Sequence, residues 1–97
     1  MLEELTESRK LSEEGKAMKH CVGSYAFYCA KGRSAIFSLR KYSGGILLDI
    51  MATIEVNISL QRIVQAKAKM NKPINEEAKR YMEAWAIHEG LAINPYL

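Results

Sequence analysis

The pair Gly44-Gly45, set between S-A-I-F-S-L-R-K-Y at 34–42 and I-L-L-D-I-M-A-T-I-E-V at 46–56, constrains the fold of this chain more than any other feature. Two glycines between two runs rich in β-branched and aliphatic residues specify a tight antiparallel hairpin. In the first run Ile36, Phe37 and Leu39 supply apolar surface, with Ser38 and Arg40 alternating among them. In the second, Ile46, Leu48, Ile50, Ala52, Ile54 and Val56 share one face by the two-residue period of a strand. Leu47, Asp49, Met51, Thr53 and Glu55 fall on the other face, which is half polar. A third strand is expected at 60–68, after a tight connection at 57–59, with Val64, Ala66 and Ala68 on one side and Ile63, Gln65, Lys67 and Lys69 on the other. Consecutive strands with short loops pair as neighbours, so the simplest sheet is a three-stranded antiparallel meander.

Helical spacing flanks these strands on both sides. Thr6 or Ser12 is a candidate cap, Glu13 and Glu14 suit a first turn, and Leu11, Met18 and Val22 with Ala17 and Cys21 place an apolar side on a helix at about 12–21. Gly23-Ser24 reads as a break, and Y-A-F-Y-C-A at 25–30 as a second short helix closed by Lys31-Gly32. Downstream, Asn75 is a good cap for a helix opening on Glu76-Glu77, with Ala78, Tyr81, Met82, Trp85 and Ala86 as its apolar stripe and Gly90 as its stop. The expected fold class is α+β: a three-stranded antiparallel meander packed with two short N-terminal helices and one longer C-terminal helix. With 97 residues the chain is expected to form one domain over 1–97, since it is too short for two cores. The tail L-A-I-N-P-Y-L is apolar enough to fold back, or to join the C-terminal helix in a homodimer contact.

Composition narrows the function classes. Apolar residues make up 48% and charged ones 26%, the balance of a globular protein rather than a disordered one. Fourteen Lys and Arg against 11 Asp and Glu leave a net charge of +3, which favours anionic partners but falls short of a polybasic protein. The apolar run at 44–54 is interrupted by Asp49 and is too short to span a bilayer. The opening M-L-E-E-L-T-E-S-R-K is unlike a signal peptide, so a cytoplasmic location and no membrane partner are expected. Cys21 and Cys29 should then be free thiols. Without a CxxC pair, and with His20 and His88 as the two histidines, neither a metal site nor a cofactor is expected.

Candidate chemistry concentrates at His20 and Cys21. Adjacent helical residues point about 100° apart, so the two are poorly placed to serve each other, and His20 needs a group from another element. A cysteine at a helix end can have a lowered pKa and act as a nucleophile; against that stands a packed Cys21 beside a hydrogen-bonded His20. Glu55 is the carboxylate best placed as acid or base, and a cross-strand ion pair accounts for it as well. No phosphate-binding glycine loop, nucleophile elbow, HExxH or dinucleotide fingerprint is present. Arg33, Arg40, Gln65, Lys67, Lys69 and Asn71 form the candidate nucleic-acid or partner-binding set. If the polar strand faces gather Arg40, Gln65, Lys67 and Lys69, they can contact phosphates while Tyr28 or Tyr42 stacks on a base. The competing reading is a solvated surface in which Asp49 and Glu55 offset those cations.

The segments E-G-K-A-M-K-H-C-V-G-S-Y at 14–25, C-A-K-G-R-S-A-I-F-S-L-R at 29–40, A-T-I-E-V at 52–56 and I-V-Q-A-K-A-K-M-N-K-P at 63–73 resemble the PcfJ-like family. The resemblance covers roughly residues 11–85, and H-C-V-G-S-Y is its more specific element. Such proteins are associated with conjugative plasmids, phages and other mobile elements, and the module usually ends a longer protein. The resemblance implies an accessory or regulatory binding protein of a mobile element, acting on nucleic acid or on a protein that handles it. Inhibition of a host defence protein, in the manner of an anti-CRISPR, is one alternative. A small enzyme using His20 or Cys21 with a strand-borne polar residue is the other. The matched polar positions are His20, Cys21, Ser24, Tyr25, Ser34, Ser38, Arg40, Glu55, Gln65, Lys69 and Asn71. The chain departs from the family pattern at Ala26-Phe27-Tyr28, where a more polar sequence is usual, and at Ala68, where glycine is usual.

Overall fold

Gly44 and Gly45 adopt φ of 57° and 81°, the left-handed conformation that lets a two-residue turn follow the twist of its strands. That turn joins β2 (Ser34–Ser43) to β3 (Ile46–Asn57) in a computed structural model that describes residues 2–18 and 34–95. Around this hairpin lie β1 (Leu2–Glu4), α1 (Ser8–Met18), β4 (Arg62–Lys67), a 3₁₀ turn (Lys69–Asn71), α2 (Glu76–Glu89) and β5 (Ala92–Ile93).

The expected three-stranded meander is too small. Among the described residues the sheet has five strands in the order β1-β2-β3-β4-β5, and it is mixed, because β4 and β5 pair in parallel. Two α-helices are described rather than three; the short helix expected at 25–30 lies outside the described residues. The physical reason for the missed strands is their length. Three residues in β1 and two in β5 cannot display an alternation, and their extended state comes from pairing, with Leu2 opposite Leu39 and Ile93 opposite Ile63. The first helix also starts earlier than expected, at Ser8.

Bulges correct the assignment of faces. Leu39 pairs with Ala52 but Arg40 pairs with Ile50, and Lys41 pairs with Asp49 but Tyr42 with Leu47, so Met51 and Leu48 are extra residues on β3. On β4, Val64 is extra between Ile63 and Gln65, which brings Ile63 and Ala66, rather than Val64 and Ala66, onto one face.

That face carries the larger core. Leu39, Ala52, Ile54, Val56, Ile63 and Ala66 meet Ala78, Met82 and Ala86 of α2. The two alanines let the helix approach closely, and Trp85 reaches past them to Phe37, with ring centroids 4.7 Å apart. Each large aliphatic side chain buried here contributes about 1.5–3 kcal/mol. The ends of α2 follow the local chemistry read from the sequence. The Asn75 side chain accepts the Ala78 N–H at 2.8 Å, and Gly90 closes the helix at φ 69°, its N–H donating to the Ala86 and Ile87 carbonyls.

The opposite face of the sheet is covered by α1. Leu11 and Met18 of α1, Leu5 before it and Ile36 of β2 are all buried there. Among the described residues no helix is long and apolar enough to cross a membrane.

Candidate functional site

Strand register gathers a polar row on the face under α1. Glu3 pairs with Ser38, Ser38 with Thr53 and Thr53 with Lys67, so four strands contribute one residue each. In the next row Ile36 pairs with Glu55, and Glu55 with Gln65.

Glu14 enters this row from above. On α1 it sits three residues after Leu11 and four before Met18, in the middle of the buried stripe, and it is 1% exposed. Its carboxylate accepts the Thr53 hydroxyl at 2.6 Å and the Ser38 hydroxyl at 3.0 Å. The Arg40 guanidinium stands 3.4 Å from the same Oε1 and 3.2 Å from Glu3 Oε2, while its Nε donates to Ser38 Oγ at 2.9 Å. Burial alone would lower the pKa of Arg40. The hydrogen bond with Tyr42 and the charges of Glu14 and Glu3 outweigh it and hold the guanidinium above its usual value. A buried carboxylate with two hydroxyl donors and a cation is a satisfied cluster, and it pins α1 to β2 and β3.

The residues singled out from the sequence separate into three groups. His20, Cys21 and Arg33, together with Ser24, Tyr25, Tyr28 and Cys29, lie outside the described residues. Arg40 and Glu55 are engaged internally: Arg40 by Glu14 and Glu3, and Glu55 by the Ser34 hydroxyl, which donates to it at 2.8 Å. The third group lies on β4 and just beyond its end. Gln65 and Lys67 are half-buried on β4, and Lys69 and Lys72 are exposed immediately beyond it. Asn71 belongs to the 3₁₀ turn, where Met70 takes φ 62° and the turn lies against α1.

Several described cations, Lys16, Arg62, Lys79 and Arg80 among them, form no ion pair among the described residues. Lys10 faces Glu3 at 3.7 Å and Lys41 faces Glu77 at 3.4 Å, whereas Lys67, Lys69 and Lys72 form no ion pair among the described residues. His88 is an exposed residue beside Glu89, and no group of His, Cys, Asp and Glu among the described residues could hold a metal ion.

Glu14 is the member that sequence reasoning missed as a site residue. The signal was present in the spacing Leu11, Glu14, Met18, which interrupts an apolar stripe with a carboxylate. The family model described as PcfJ-like protein matches residues 1–82. No curated protein and no solved structure matches the chain.

Proposed function

The chain belongs to the PcfJ-like family, which is associated generally with mobile genetic elements, and from that premise we propose that it is a small accessory binding protein whose basic edge contacts nucleic acid. The observation that carries this reading is the closely spaced run Lys67, Lys69 and Lys72 at the end of β4, cations that form no ion pair among the described residues. Arg40 plays a different part from the one its residue type suggests: it braces the fold, and the phosphate contacts fall to the lysines. Gln65 precedes them in the chain and Asn71 lies between Lys69 and Lys72. Three positions suit backbone contact rather than base readout, so binding is weak and sequence-tolerant. A cytoplasmic setting accords with that role.

The test is anisotropy of labelled single-stranded and duplex oligonucleotides at about 50 and 200 mM salt. Three phosphate contacts predict a loss of about 20-fold for single strands and about 40-fold for duplex over that range. Absence of binding at low salt, or binding indifferent to salt, contradicts the proposal. In that event a protein that handles nucleic acid, or a host defence protein, becomes the partner to seek by pull-down.

A further inference from the structure

Among the described residues the outer half of the β2/β3 hairpin has no neighbours in the sheet. Pairing with β1 is described to Leu39 and pairing with β4 begins at Thr53, so among the described residues the exposed segment 41–49 is a two-stranded ribbon that pairs only within the hairpin. Its tip exposes Ile46 by 69%, Leu48 by 58% and Leu47 by 42%. Three consecutive aliphatic residues at a protruding turn are an unusual surface for a lone soluble domain.

At the base of the same ribbon is a cavity of about 340 Å³ lined by Leu39, Arg40, Lys41, Tyr42, Met51 and Tyr81. Tyr42 pairs with Leu47 across the ribbon, so the protruding tip and the cavity are continuous. We propose that this ribbon is a two-fold interface between two copies of the chain, the Ile46-Leu47-Leu48 tip of each copy entering the Tyr42/Tyr81 cavity of the other.

A two-fold contact requires a surface that is complementary to itself, and a knob beside a hole on one ribbon meets that requirement. Strand-to-strand pairing along β3 is disfavoured, because the bulges at Leu48 and Met51 and the charge of Asp49 blunt that edge. The contact is therefore made by side chains. Covering the exposed parts of Tyr42, Ile46, Leu47, Leu48 and Tyr81 on both copies removes on the order of 1,000 Å² from water, the lower bound for a specific interface. A reversible, concentration-dependent dimer follows, rather than an obligate one.

Sedimentation velocity from about 1 to about 300 µM tests this, together with I46D/L48D at the tip and Y81E at the cavity, each checked for native circular dichroism. All three positions are exposed, so the substitutions leave the core intact. The expected result is a weight-average mass that climbs toward that of two chains in the parent and stays at one chain in both variants, with the dissociation constant raised at least about tenfold. A parent that is monomeric throughout overturns the proposal. So does a dimer that persists in either variant, which would place the interface elsewhere, including the C-terminal helix. Capture of a different protein by a monomeric parent also overturns it.

Discussion

Replacing Glu14 by alanine is the most informative perturbation of the fold. The substitution removes the acceptor of two buried hydroxyls and one of the two carboxylates facing Arg40. Breaking a buried ion pair costs about 3–5 kcal/mol, and each buried hydroxyl left without its acceptor costs about 1–3 kcal/mol, terms that overlap rather than add. Arg40 keeps Glu3 at 3.2 Å and its side chain is 20% exposed, so it recovers part of its loss. The net expectation is about 3–4 kcal/mol, against a total stability of about 5–15 kcal/mol for a domain of this size. With a urea m-value of about 1–1.5 kcal/mol/M, the denaturation midpoint falls by about 2–4 M. Glu13→Ala, on an exposed side chain of the same helix, is the control and should stay within about 0.5 kcal/mol of the parent. Combining Glu14→Ala with Thr53→Val should reveal a coupling of about 1–2 kcal/mol. A Glu14→Ala variant as stable as the parent, or energies additive to within about 0.5 kcal/mol, refutes the bracing role.

Two further outcomes follow from the same structure. Because Arg40 is held above its ordinary pKa, its contribution is complete below the unfolded value and is lost only as pH rises through the higher folded one. The stability gap between the parent and Arg40→Ala, measured by urea titration, should therefore stay constant between about pH 7 and 10, and a gap that shrinks with rising pH contradicts this. Asn75→Ala should cost about 1 kcal/mol in thermal or urea unfolding, since it removes the acceptor of the Ala78 N–H.

What could be read from the chain was what depends on neighbours in sequence. The Gly44-Gly45 turn, the Asn75 cap and the Gly90 stop are local chemistry, and each appears where that chemistry places it. The common face of Ser38, Arg40, Thr53, Glu55, Gln65 and Lys67 was also legible, because a period of two survives wherever no bulge intervenes. Extending that period across Leu48 and Met51 failed, as each bulge reverses the side on which the following residue falls. Ile46 and Leu48 read as sharing a face with Ala52, Ile54 and Val56, yet they are exposed while those three are buried, because α2 packs on the inner part of the hairpin and nothing in their own sequence says so. Glu14 eluded the reading since a carboxylate on a helix is ordinarily solvated; its burial depends on Ser38, Arg40 and Thr53, which come from distant strands. His20 and Cys21, the residues that drew attention first, lie outside the described part of the chain.

The measurement that bears most directly on the proposed role is the slope of log Kobs against log salt concentration for single-stranded DNA, compared between the parent and a Lys67→Ala, Lys69→Ala, Lys72→Ala triple variant. The parent should give a slope of about −2, with each lysine contributing about −0.7, and the triple variant a slope near zero with binding at the limit of detection. An unchanged slope in the triple variant would contradict the assignment of this edge as the nucleic-acid contact.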